Sequence, residues 1–284
     1  MPVEAIERGG GVPGGLVSAA HPAPAFAVTG MATALAVAVG RGPAGCLLVG
    51  LAVLAGQLCV GWSNDVIDVR RDIAAGRRDK PLAAGALTTS TARAAACGAG
   101  VACVPLSLAS GPTAGAAHLT GVASALAYNA VLKRTRWSWL PYALAFGLLP
   151  AFVTLGLPGH PWPPAWLLAA AALLGVGAHL TNVLPDIDAD LADGIRGLPH
   201  RLGAARSRAL AALALLGASL LLALGPPGPP GALGWTGLAL AAALTAAAAL
   251  PRARRADSRL PFLLTIGLSA LDLALLLLRG AALR

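Results

Sequence analysis

Nine apolar stretches of helical length divide this chain of 284 residues, and their alternation with short polar connections leaves few folds open to it. They fall at about 24–40, 43–64, 91–110, 113–132, 138–156, 164–185, 206–225, 231–250 and 260–279. Apolar runs of roughly 17–25 residues can cross a bilayer as α-helices, and only helices or closed barrels satisfy their backbone polar groups there. With 57% hydrophobic and 12% charged residues, the expected fold is all-α: a polytopic membrane protein with a bundle of about nine transmembrane helices. Residues 1–20 carry Glu4, Glu7 and Arg8 among glycines, without the basic, apolar, small-residue order of a signal peptide. That segment is expected to be a disordered lead, and residues 21–284 a single transmembrane domain.

Charge follows the same punctuation. Of the 21 Lys and Arg residues, 17 lie in every second connection or within the first three residues of the span that follows it, after the spans ending near 64, 132, 185 and 250. This asymmetry is expected to place those connections and the N-terminus in the cytoplasm, the membrane being the cell membrane if the host is bacterial. It also explains the net charge of +9 without nucleic acid as a partner. Trp137, Trp139 and Tyr142 are expected at the inner interface, and Trp162, Trp166 and Trp235 at the outer one. The four cysteines sit in apolar runs without metal-ligand spacing and are expected to be buried small hydrophobes.

One segment occurs twice. Asn64, Asp68, Asp72, Gly76, Pro81 and Gly85 recur, 118 positions on, as Asn182, Asp186, Asp190, Gly194, Pro199 and Gly203. The shared pattern N-x3-D-x3-D-x3-G-x4-P-x3-G lies in an internal repeat with copies around 43–132 and 164–250. Residues four apart share a helix face, so each copy predicts a polar stripe at the cytoplasmic end of a span, with Asp65 beside the first. Eight of the 12 carboxylates lie in or just after these segments. Acidic groups at a membrane helix end are costly unless paired or facing a polar cavity. Pro185 interrupts the second stripe and is expected to kink or loosen the helix before Asp186. Gly76 and Gly194 are expected to turn the chain.

Facing carboxylate stripes suit Mg2+, which takes oxygen ligands and is commonly held by one or two carboxylates plus substrate phosphates. The neighbouring connections hold Arg71, Arg77, Arg78, Lys80, Lys133, Arg134 and Arg201, suited to phosphate oxygens. Beneath lies a wall of Ala, Leu, Val and Gly. The complementary ligand has a diphosphate head and a long apolar tail, as a prenyl diphosphate does. No nucleophile triad and no GxxxxGK[ST] loop is present. His179, just behind the second stripe, is expected to be a packing histidine, with substrate contact as the alternative.

Asn64-Asp65-x-x-Asp68-x-x-x-Asp72 resembles the first Asp-rich signature of the UbiA superfamily of intramembrane prenyltransferases. Asp186-x-x-x-Asp190, with Gly194, Leu198-Pro199 and Gly203, resembles the second, and Tyr128 through Lys133-Arg134 is similar to the family's basic segment. The resemblance implies a nine-helix bundle and Mg2+-dependent transfer of a prenyl group from its diphosphate to a small acceptor. It makes Asn64, Asp68, Asp72, Asp186 and Asp190 the metal and diphosphate carriers, the four aspartates catalytic. Asn64, Asp65, Arg78, Lys80, Tyr128, Lys133, Arg134, Asn182 and Arg201 become the substrate-binding candidates. Lys80 stands where Arg is commoner in the family, and Gly197 where Thr is frequent. A membrane terpene cyclase on the same scaffold is the alternative, and a transporter a third reading, disfavoured by acidic residues at one face instead of the midplane. Asp272, alone in the last apolar run, requires a polar partner.

Overall fold

The computed structural model describes residues 12–248 together with 267–268, 270–272 and 274–275. The described residues contain only helices, turns and loops. The long helices are α2 (Pro22–Ala38), α3 (Pro43–Ala74), α4 (Thr89–Leu108), α5 (Pro112–Ala130), α6 (Leu140–Thr154) and α7 (Ala165–Val183). They continue with α10 (Ala204–Leu224) and α11 (Gly231–Ala248), while α1 (Val12–Ala19), α8 (Ile187–Ala192) and α9 (Leu198–Leu202) are short. Residues 267–275 are helical wherever described. Four helices, counting α7 and α8 as one, are long and apolar enough to cross a membrane, and α2, α6 and α11 are shorter apolar helices.

One expectation is corrected at the start of the chain. The segment to residue 20 is not a disordered lead throughout, because α1 forms over Val12–Ala19 and buries Gly15 and Ala19. Ala19 joins Leu82, Leu87 and Ala92 in a small apolar cluster, and the Trp62 indole N–H donates to the Leu16 carbonyl at 2.9 Å. No polar-apolar periodicity announces this contact; α1 is held by what α3 and the following connection offer it. A second correction concerns Cys97, which is exposed, whereas Cys46, Cys59 and Cys103 are buried.

Proline at the first turn starts α2, α3 and α5, where its fixed φ and missing N–H cost nothing. The bundle then runs by neighbours. α3 packs on α2, α4 and α5, α6 bridges α5 and α7, and α10 links α7 to α11. Small residues permit this packing, as they do where apolar lipid removes the hydrophobic drive between helices. At Gly175 in α7, a Cβ would collide with the Tyr142 carbonyl and come 2.9 Å from the Phe146 Cβ, so glycine there sets the α6–α7 approach.

Length decides where α3 ends. Its 32 residues reach about 48 Å, against roughly 30 Å of hydrocarbon, so the segment from Asn64 onward emerges as a rigid polar extension. α7 has no such extension. It stops at Val183, a 3-10 turn spans Leu184–Asp186 around Pro185, and α8 resumes at Ile187.

Both polar segments end on the same backbone device. The Arg77 amide bonds the Asp72 carbonyl at 2.9 Å and the Gly76 amide the Ile73 carbonyl at 3.1 Å. In the second segment Ile195 bonds Asp190 at 2.8 Å and Gly194 bonds Leu191 at 3.1 Å. These are Schellman caps, and they require the left-handed backbone that Gly76 (φ +66°) and Gly194 (φ +76°) adopt. Gly85 and Gly203, nine residues further on, have positive φ too, at +76° and +77°.

Asp272 is fully buried and receives the Ser219 hydroxyl of α10 on Oδ1 at 2.8 Å. Its Oδ2 has no hydrogen-bond partner among the described residues. Ser219→Ala should therefore lower unfolding stability by about 1–2 kcal/mol, while Asp272→Asn, which can still accept from Ser219, should stay close to the parent. Thermal unfolding of both variants in detergent checks this; a Ser219→Ala protein as stable as the parent would show that the bond does not support the bundle.

Candidate active site

The first stripe is intact on α3. Asp65, Asp68 and Asp72 are at most 4% exposed, and Asn64 is half-buried. Three buried carboxylates within two helical turns repel each other and lose hydration, so each needs a cation. Asp68 receives its two short hydrogen bonds from Lys133, with Nζ at 2.5 and 2.7 Å from the two carboxylate oxygens, and a longer one from Arg71 at 3.5 Å. Lys133 comes from the 3-10 turn Leu132–Arg134 after α5 and is itself buried. Burial pulls its pKa below the ordinary lysine value, while its hydrogen bonds and charge interaction with Asp68 oppose that pull. Asp65 is held separately: Lys80 donates to its Oδ1 at 2.8 Å, and the His21 Nε2 lies 3.0 Å from the same oxygen. His21 sits at the start of α2 in a left-handed conformation, so the N-terminal hairpin is tied to the acidic helix.

The second stripe meets the first through one residue, Arg71. Its guanidinium lies 3.5 Å from Asp68 and 3.9 Å from Asp72 in α3, 3.7 Å from Asp190 in α8, and 3.6 Å from Asp193 just beyond it. Carboxylates from the two repeated segments thus share one cation and lie within roughly 10 Å, the span of two ion-pair contacts and a guanidinium. The His200 Nε2 of α9 is 3.1 Å from the other oxygen of Asp190. Asp186 is exposed on the 3-10 turn, on the side where it acts electrostatically on Arg77. Arg77 forms a two-point pair with Asp79 at 3.0 Å, which raises the pKa of the arginine and lowers that of the aspartate. A cavity of about 360 Å³ opens beside Asp72, lined by Ile73, Gly76, Arg77, Arg78, Ala83 and Ala84.

Under the acidic groups lies an aromatic layer. The Tyr128 ring meets Tyr142 edge-on at 5.1 Å and His179 at 5.6 Å, and Tyr142 lies 4.8 Å from His179. Tyr142, expected at the lipid interface, instead belongs to this inner layer. His179 is buried, its Nε2 3.0 Å from the Ser138 hydroxyl, which also accepts the Leu198 amide at 2.9 Å. That bond ties the loop before α6 to the start of α9. It also explains Gly197: a Cβ there would stand 2.6 Å from the Lys133 carbonyl, 3.0 Å from the Ser138 Oγ and 3.2 Å from the His200 Nδ1.

The structure therefore draws Asp68, Asp72, Asp190 and Lys133 together, sets Asp65 with Lys80 beside them, and lines one cavity with Asp72 and Arg78. It leaves Asn182, Asp186 and Arg134 exposed and ties the Nε of Arg201 to the Arg196 carbonyl at 2.8 Å. Sequence reasoning missed Asp193, His200, His21 and Ser138 as members of this network. Asp193 lies three residues from Asp190 and was open to discovery by helical spacing. His21 and Ser138 reach the site only by tertiary contact. No three His, Cys, Asp or Glu side chains among the described residues are already gathered as an ion cage.

Long apolar helices carrying a cation-bridged acidic cluster beyond their hydrocarbon length define an integral, multi-pass membrane protein with a polar site at one end of the bundle. Residues 24–268 match the UbiA prenyltransferase family, and the chain belongs to that family. No curated protein matches it significantly. The fold is similar to that of a UbiA homologue from Archaeoglobus fulgidus bound to GPP and Mg2+, with 17% identity, a TM-score of 0.70, and coverage of 95% of this chain and 99% of that one. It is similar to a UbiA homologue from Aeropyrum pernix K1 in its apo form, with 19% identity, a TM-score of 0.68, and coverage of 92% and 97%. A digeranylgeranylglyceryl phosphate synthase is similar at 15% identity, with a TM-score of 0.69 and coverage of 94% and 97%.

Because a rigid carbonyl faces it, Gly197→Ala should cost about 1–3 kcal/mol and displace the Lys133 turn or α9. Thermal unfolding measures the first effect. An unchanged melting temperature would mean that the α5–α6 and α9 loops are not closely packed at this point.

Proposed function

We propose that the chain transfers a prenyl group from a prenyl diphosphate to a small nucleophilic acceptor inside the membrane, with Mg2+ as cofactor and the site on the cytoplasmic side. The observation that carries this reading is the convergence of both acidic segments on one cation, Arg71, above an apolar bundle. Oxygen donors of this kind suit a hard divalent ion, and a guanidinium already shared among them marks the place where positive charge is demanded. The residues present therefore fit the ion. Relatives of the same fold that are bound to GPP and Mg2+, or to DMAPP and Mg2+, support the same assignment.

Asn64, Asp68, Asp72, Asp186 and Asp190 are the proposed carriers of the ion, from one continuous helix and one broken one. When bound, Mg2+ supplies Lewis-acid neutralisation of the departing diphosphate. Arg78 and Lys80, on the connection after α3, and Lys133 and Arg134, after α5, draw in and orient phosphate oxygens. Tyr128, with Tyr142 and His179, forms the aromatic layer beneath the acidic groups, where an allylic cation is sheltered from water and faces π-electron density. Asn182 and the acceptor belong at the edge of that layer. The two repeat copies, around 43–132 and 164–250, contribute one acidic wall each.

Purified protein supplied with prenyl diphosphates of several lengths and a panel of acceptors should yield prenylated acceptor by mass spectrometry. Asp68→Ala and Asp190→Ala should each lose about 100-fold or more of the rate while retaining helical circular dichroism. Full turnover in excess chelator would sink the metal assignment, and a hydrocarbon product lacking acceptor atoms would replace transfer with cyclisation.

A further inference from the structure

Arg71 is not paired as an arginine ordinarily is. A closed guanidinium–carboxylate pair has N–O distances of about 2.7–2.9 Å, usually twice over. Arg71 makes four contacts, all between 3.5 and 3.9 Å, to carboxylates of both acidic segments, and its buried Nη1 has no hydrogen-bond partner among the described residues. The neighbouring cations behave otherwise. Lys133 closes on the Asp68 carboxylate and Lys80 on that of Asp65, each at 2.8 Å or less. A planar ion centred among four oxygens, bound closely to none, occupies the position that balances their repulsion. A divalent ion drawing on Asp68, Asp72 and Asp190 needs the same oxygens, so the two cations compete. The side chain is one-quarter exposed and thus has room to leave.

We infer that Arg71 is an internal counter-cation that closes the two acidic segments on each other and suppresses divalent-ion binding until a diphosphate arrives to receive its guanidinium. Diphosphate oxygens offer the fork the two-point contact that the carboxylates do not. Metal and diphosphate then bind as a coupled pair, each releasing what the other needs. The inference rests on the proposed Mg2+ site and adds a positioning residue to it.

The test uses the full chain in nanodiscs and Mn2+ as probe, with binding read from loss of the free-ion paramagnetic resonance signal. Arg71→Gln should bind Mn2+ alone at least about fivefold more tightly than the parent, with Arg71→Lys in between. In chelator, Arg71→Gln should melt below the parent, and Mn2+ should recover the difference. Mn2+ with inorganic pyrophosphate should raise the parent's melting temperature by more than the sum of the two alone, and Arg71→Gln's by about the sum. Equal or weaker Mn2+ binding by Arg71→Gln, or additive stabilisation of the parent, overturns the inference. Should Arg71→Gln not fold, the Arg71→Lys constant decides: Mn2+ binding no tighter than the parent's overturns it equally. Binding of Mn2+ by neither parent nor variant removes the underlying metal site, and with it this inference, which separates the two failures.

Discussion

Repulsion among buried carboxylates is the constraint from which the rest of this molecule follows. Three aspartates lie within two turns of α3 and two more approach from α8 and its end. Unpaired, such groups are unaffordable in a low-dielectric setting. The chain meets that demand with cations from two places, Lys133 after α5 and Lys80 and Arg71 around the end of α3, and with two imidazoles, His200 of α9 at Asp190 and His21 at the start of α2 at Asp65. These contacts cross the bundle, so the same electrostatics that would make the site reactive also ties together connections distant in sequence.

Satisfying charge at one end requires freedom from it elsewhere. The helices below the site pack through glycine and alanine, and some of the buried polar groups there are answered by a neighbouring helix or side chain. The His118 Nδ1 lies 2.8 Å from the Ser107 hydroxyl, and the Asn129 carboxamide donates to the Val60 carbonyl at 2.9 Å. Close backbone approach, as at Gly175, packs neighbouring helices directly against each other. A polar, cation-rich cap over an apolar bundle is the arrangement that a diphosphate with an apolar tail would exploit.

The two acidic segments show how one motif takes two forms. Both end on a Schellman cap with glycine in the left-handed region, and both are followed by a buried proline. Yet the first is continuous helix, while the second is interrupted by the turn Leu184–Asp186. Pro185 accounts for the difference, since it removes an amide and crowds the preceding turn. Asp186 consequently faces outward, whereas its counterpart Asp68 is buried against Lys133. The acidic walls are unlike in stiffness and in exposure, although their spacing in sequence is identical.

Much of this was legible in the sequence because it depends on short-range rules. Helical length and hydropathy define the spans, i,i+4 spacing puts Asp68 and Asp72 on one face, and glycine at 76 and 194 allows the turns that stop each segment. The α1 helix was not legible, since its stability comes from Leu82, Leu87 and Trp62 and not from its own pattern. Nor was the inward position of Tyr142, because a tyrosine serves a lipid interface or a buried layer equally well. By itself the sequence determined the bundle, the paired acidic motifs and the chemistry they invite. Only the tertiary structure decided which cation serves which carboxylate. Asp68 chooses Lys133, 65 residues away, and Arg71 stands between segments more than a hundred residues apart, because electrostatic partnership is set by distance in space, to which spacing along the chain is blind.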